Sequence, residues 1–270
     1  MGKVLLSGRL LFALLLIILA GALIYGVYAS KQNSKSSPPT PLENQEGTKV
    51  KYPQDYTILL VGDSMTEYLG NSDELRAYLK EYYPNKTFEV LNYGFGSTNI
   101  LSVEKRLTQN SFYNREFRPI LDIAFDLILI ESFGHNPLSE YSITEGLKKQ
   151  TEALEKIIKL IREENPSAKI LFVATIAPNS KVYAYRKVDL SKEQREQWVK
   201  ERIAYIKNHI AYANSHNIPV VNIYEKSLNE DGDGNLEYIS DADYIHPSPN
   251  GVKFISREIA EKIALDLLLK

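Results

Sequence analysis

At 270 residues, 44% of them apolar and 24% charged, the chain has material for one domain with a real core plus an appendage. A formal charge of -2 and a pI near 6.2 supply no overall field for a nucleic-acid partner. The absence of cysteine excludes disulfides, thiolate metal sites and a cysteine nucleophile.

In chain order, Lys3 and Arg9 precede Leu10 to Val27, an uncharged run of Leu, Ile, Ala and Phe. Such a run can span a bilayer, whose hydrocarbon core needs about 20 apolar helical residues. Tyr25 and Tyr28 end it where amphipathic rings favour the interface. The run is longer than the usual signal-peptide core of about 7 to 15 residues, so residues 1–29 are expected to be an uncleaved transmembrane anchor, with a cleaved signal peptide as the alternative. Lys3, Arg9 and the terminal amine are balanced by Lys31 and Lys35, so charge alone does not set the orientation. Residues 30–53, centred on Ser36-Ser37-Pro38-Pro39-Thr40-Pro41, lose apolar periodicity and read as a stiff, solvated linker. The domain proper is expected over 54–270.

Five short apolar runs follow: Thr57 to Val61, Phe88 to Leu91, Asp126 to Ile130, Lys169 to Ala174 and Pro219 to Ile223. They read as buried parallel strands. Helical spacing fills the gaps over Ser72 to Tyr83, Ile100 to Thr108, Ile143 to Glu164, Lys192 to Asn214 and Asn250 to Leu269. Ser191 with Gln194 forms a start signal, and Asn165-Pro166 a stop. The alternation predicts a three-layer α/β/α domain.

In a parallel sheet the carboxyl ends of the strands form the functional edge. Four segments there carry polar residues. Gly62-Asp63-Ser64 is a tight turn after the first strand, and its serine is either a nucleophile or a helix cap. Asn92-Tyr93-Gly94-Phe95-Gly96-Ser97 has two glycines that can turn an amide outward to hold an oxyanion. In Glu131-Ser132-Phe133-Gly134-His135-Asn136-Pro137, Asn136 can donate to the same anion. Finally, Asp243 stands three residues before His246, close enough for a carboxylate to fix the imidazole tautomer while the other nitrogen faces a serine. Of the four histidines, His209 and His216 fall on or just beyond a long helix, where solvated positions are expected, leaving His246 and His135 as loop candidates.

Taken in this order, the segments resemble the four blocks of the GDSL/SGNH hydrolases, over Thr57 to Gly251. Ser64 matches the nucleophile, Gly96 the oxyanion glycine, Asn136 the asparagine, and Asp243 with His246 the terminal pair. Three positions depart from the pattern: Met65 replaces leucine, Pro137 replaces aspartate, and the glycine block is about one residue short, so that Gly94 also lies near the expected place. The resemblance implies a flavodoxin-like fold with a five-stranded parallel sheet, and a site using neither metal nor cofactor. It further implies a catalytic triad of Ser64, His246 and Asp243, with an oxyanion hole formed by the Ser64 and Gly96 amides and the Asn136 side chain. Asp63 is expected to hold the turn through backbone N–H groups.

The expected partners are an ester substrate and, through the anchor, a membrane. An extracytoplasmic esterase acting on O-acetyl groups of carbohydrate fits anchor and linker. A lipid esterase or lysophospholipase, an O-acyltransferase and a non-catalytic binding module are the alternatives. Tyr68, Tyr93, Tyr183 and Tyr185, among eighteen tyrosines, are candidates to line a sugar surface. Asn229, Asp231, Asp233 and Gly234 match part of a calcium loop, but Ser240 replaces the closing glutamate, and a solvated turn is expected.

Overall fold

In the computed structural model, which describes residues 49–269, every predicted strand is present and all five join one parallel sheet. The helices α1 to α7 cover Ser64–Glu67, Asp73–Tyr82, Val103–Thr108, Ile143–Glu164, Lys192–Ser215, Ile223–Lys226 and Pro249–Leu265. The strands β1 to β7 cover Tyr56–Gly62, Phe88–Gly94, Ser111–Tyr113, Arg115–Phe117, Leu127–Glu131, Lys169–Ala174 and Val220–Asn222. The sheet order is β2-β1-β5-β6-β7, while β3 and β4 form a separate antiparallel hairpin. Counting only the sheet strands, this is the flavodoxin-like order 2-1-3-4-5.

Each strand buries alternate side chains against a different helical layer. On one face Leu59, Val61, Ile128, Ile130 and Phe172 pack with α3, α4 and the end of α5. On the other, Ile58, Leu60, Leu129, Leu171 and Val173 pack with α2 and α7. Burial on both faces is why the strands read as continuous apolar runs. Local signals set the helix limits: Ser191 and Gln194 form a reciprocal capping box on α5, Asn165 ends α4, and Ser248 caps α7 ahead of Pro249.

The expected anchor at 1–29 and the Pro-rich part of the linker lie outside the described residues. Among the described residues no helix is long and apolar enough to cross a membrane. The linker's last residues join the core: Val50 and Tyr52 are buried, and Val50 exchanges hydrogen bonds with the backbone at Asp122 and Ala124.

The exposed position expected for His209 is corrected. It is fully buried, stacked on Phe172 with ring centroids 4.2 Å apart, and its Nε2 lies 3.1 Å from the Ile130 carbonyl oxygen. Its Nδ1 has no partner, so Nε2 carries the proton and donates. Burial depresses its pKa to about 3. His216 is exposed, as expected.

Candidate active site

The sheet order reverses between β1 and β5, and the four polar segments meet at the carboxyl ends of these strands and of β2. After β1 the chain turns into α1, and the side chain capping that helix is Asp63, whose Oδ1 accepts from the Met65 N–H at 2.8 Å. Ser64 is therefore the first helical residue, and its hydroxyl is not used as a cap. Among the described residues its Oγ and its backbone N–H make no hydrogen bond. Catalytic contacts are commonly loose without substrate.

Asp63 and Glu131 are buried side by side. Burial raises the pKa of both carboxyls. Glu131 is raised further by the charge of Asp63, whereas Asp63 is held back by donors from Asn136 and Met65. Of the two carboxyls, Glu131 is raised the more strongly. Arg106, also buried, donates from Nη1 to the carbonyls of Gly62 at 2.7 Å and Tyr93 at 2.9 Å, and from Nη2 to the hydroxyls of Thr98 and Ser102. It ties the nucleophile turn to the glycine block. Burial lowers its pKa to about 10, opposed by the fields of Asp63 and Glu131.

The two candidate glycines have different duties. A Cβ on Gly94 would stand 2.3 Å from the backbone nitrogen of Glu67, so its bareness lets α1 lie on the end of β2. A Cβ on Gly96 would stand 3.6 Å from the Cβ of Ser64, 2.5 Å from Glu67 Oε2 and 2.7 Å from the Tyr113 hydroxyl. Gly96, not Gly94, borders the nucleophile. Its N–H, however, donates to the Tyr113 hydroxyl at 2.9 Å, which in turn donates to Glu67 Oε2 at 2.9 Å. Tyr113 lies on the hairpin β3–β4. Sequence reasoning missed this pair, because nothing local links positions 46 residues apart.

Beyond β5, Phe133 adopts a left-handed φ of 53°, an uncommon state for a bulky residue, and its N–H is held by Glu131 Oε1 at 2.9 Å. The turn that follows presents Asn136, whose Nδ2 donates to Asp63 Oδ2 at 2.8 Å and keeps a second proton free. His135 is not a competing base. Arg202 Nε donates to the Tyr183 hydroxyl at 2.9 Å, which donates to His135 Nδ1 at 3.1 Å, leaving Nε2 to donate to the Ile176 carbonyl at 3.2 Å. Burial depresses this imidazole to about 3 and holds it neutral.

His246 Nδ1 donates to Asp243 Oδ2 at 2.7 Å, leaving Nε2 available. Asp243 Oδ1 accepts from the backbone N–H groups of Ile245 and His246. Burial opposes ionisation of Asp243, but these hydrogen bonds outweigh it and hold the carboxyl below its usual range. Tyr68, directly after α1, stacks on His246 with centroids 4.1 Å apart and planes 3° from parallel. Its N–H donates to the Ser64 carbonyl at 2.9 Å. The turn bearing Ser64 and the loop bearing His246 thus meet.

A model of the GDSL-like lipase/acylhydrolase family matches residues 60–254, a span that contains all four segments. The chain belongs to that family. Members of the family hydrolyse esters. No curated protein is similar enough in sequence to count as a relative. Among solved structures, the lipase/acylhydrolase from Enterococcus faecalis is similar with a TM-score of 0.56 at 19% identity, over 78% of this chain and 96% of that one. A GDSL-like lipase from Bacteroides thetaiotaomicron gives 0.52 at 14% identity, over 90% and 98%. The acetyl xylan esterase AlAXEase gives 0.53 at 15% identity, over 77% and 99%. At these identities the likeness is one of fold.

Two of the expected sugar-surface tyrosines in this GDSL-like chain are corrected. Tyr93 and Tyr183 are buried, spent on the Arg118 carbonyl and the His135 relay, whereas Tyr68 and Tyr185 are exposed. The acidic loop is a turn: Asn229 Oδ1 accepts from the N–H groups of Asp231 and Asp233, and Asp233 accepts from Ser180.

Proposed function

We propose that the protein is a membrane-tethered serine carboxylesterase that removes O-acetyl groups from extracytoplasmic carbohydrate. His246 Nε2 takes the proton of Ser64 as Oγ bonds to the ester carbonyl carbon, and Asp243 stabilises the imidazolium formed. The carbonyl oxygen becomes an anion, met by the Ser64 amide, the free Asn136 proton and the Gly96 amide once Tyr113 releases it. Collapse breaks the bond to the alkoxy group, which leaves with the proton from His246. Water, deprotonated by the same imidazole, then cleaves the acyl-enzyme to a carboxylic acid and free Ser64.

The observation that carries this reading is the 2.7 Å bond from His246 to Asp243, set beside the turn of an otherwise uncommitted Ser64. Acetyl carbohydrate as substrate is supported by the exposed ring of Tyr185, and by the fold shared with an acetyl xylan esterase. Tethering and an extracytoplasmic location rest on the apolar run Leu10 to Val27 and the linker after it. The test is turnover of p-nitrophenyl acetate and an O-acetylated sugar by the full chain in detergent. Release of acetate that disappears in Ser64→Ala and His246→Ala is expected. A folded chain that turns over neither ester, or retains activity in Ser64→Ala, overturns the assignment.

A further inference from the structure

The edge of the His246 ring is fixed by Asp243, but an edge contact leaves the ring free to tilt about that bond. Its face is covered by Tyr68 alone among the described aromatic rings, at 4.1 Å and 3°. Tyr68 is held at its backbone by the bond to the Ser64 carbonyl, so the ring covering the base is anchored to the nucleophile's own turn. The phenol is nearly half exposed, and the His246 side chain is only 17% exposed. The hydroxyl of Tyr68 donates to no group among the described residues. Packing of the fold alone therefore gives no reason for a tyrosine here, whereas the imidazole beneath it does.

We propose that Tyr68 is a positioning residue for the reaction, acting through His246: its ring holds the imidazole plane toward Ser64 and stabilises the imidazolium that exists only while a proton is in transit. This rests on the esterase reading above. A positive ring over the electron-rich face of a phenol, with centroids inside about 6 Å, is a favourable electrostatic contact, and a neutral imidazole gains much less from it. An interaction that strengthens only as charge develops lowers the barrier without tightening substrate binding. Its loss must therefore appear in kcat and leave KM in place. Phenylalanine keeps the π face and should substitute; leucine keeps an apolar cover over the imidazole but has no quadrupole.

The experiment compares the full chain with Tyr68→Phe and Tyr68→Leu on p-nitrophenyl acetate and on an O-acetylated sugar. Expected is a kcat for Tyr68→Leu lower by about two- to thirty-fold on both esters with KM unchanged, and a kcat for Tyr68→Phe within about two-fold of the parent. The His246 ring protons should resonate upfield in the parent and in Tyr68→Phe, and lose that ring-current shift in Tyr68→Leu, a readout independent of turnover. Three results overturn the proposal: Tyr68→Leu keeps its kcat, Tyr68→Phe falls as far as Tyr68→Leu, or the loss is confined to KM for the sugar ester, which makes Tyr68 a sugar platform instead. Absence of turnover in the unaltered chain is a different failure, that of the esterase reading, and takes this proposal with it.

Discussion

Replacing Arg106 by methionine keeps most of the aliphatic stem and removes a buried guanidinium with four acceptors. Charged hydrogen bonds contribute roughly 1.5 to 3 kcal/mol each, so a simple sum overshoots, because a buried cation also carries a large desolvation cost. Some acceptors keep other partners: the Gly62 carbonyl still receives the Phe95 N–H at 3.0 Å. The Tyr93 carbonyl and the hydroxyls of Thr98 and Ser102 lose their Arg106 donor. Breaking a buried charged network of this kind costs about 3 to 5 kcal/mol. With a urea slope of about 2.5 kcal/mol per molar for a domain of this size, the unfolding midpoint should fall by about 1 to 2 M at unchanged slope. A fall below about 0.4 M would refute the reasoning, since it would mean that desolvation had cancelled the hydrogen bonds.

Asp243→Asn should leave the unfolding midpoint nearly intact and lower kcat on p-nitrophenyl acetate by about three to four orders of magnitude, because an amide can hold the imidazole in the wrong tautomer. Tyr113→Phe removes the acceptor now on the Gly96 amide; kcat/KM for short esters should rise by about two- to ten-fold, the worth of one neutral hydrogen bond, and a fall would assign the hydroxyl a helpful role instead. His209→Gln keeps a donor for the Ile130 carbonyl and removes a titrating group. Because the folded value of His209 is depressed to about 3, its contribution to stability is full above the unfolded value and is lost as pH falls through that window. The stability of the parent relative to His209→Gln should therefore drop by about 1.4 kcal/mol per pH unit below about 6.5, measured by urea unfolding at pH 7.5, 6.5 and 5.5; a pH-independent difference would contradict it.

The parallel strands were legible because burial on both faces writes them as unbroken apolar runs; Ser64 and Asn136 could be singled out because each stands just past a strand, and Asp243 with His246 because they stand three residues apart ahead of the last helix. The hairpin at Ser111–Phe117 carried no such mark: its strands are three residues long and mostly solvent-facing, and Phe112 is exposed. Helix α5 concealed its buried face for another reason. Polar groups interrupt its inward stripe: Arg195, Arg202, Tyr205 and His209 are buried beside Val199, Ile206 and Ala213 and reach partners elsewhere in the fold, so hydrophobic periodicity could not single out His209. Asp63 was legible as a turn holder, whereas its pairing with Glu131 depends on the meeting of β1 and β5, which no local pattern encodes.

The relay that ends at His135 also sorts the imidazoles by chemical accessibility. His135 and His209 are buried, one with both ring nitrogens engaged and the other sealed from solvent, while His216 is exposed and the partly exposed His246 keeps Nε2 free. A histidine-directed acylating reagent consequently meets two targets out of four in the native protein. His216 serves as an internal reference, the second adduct reports access to the His246 nitrogen, and a third marks loss of the native core.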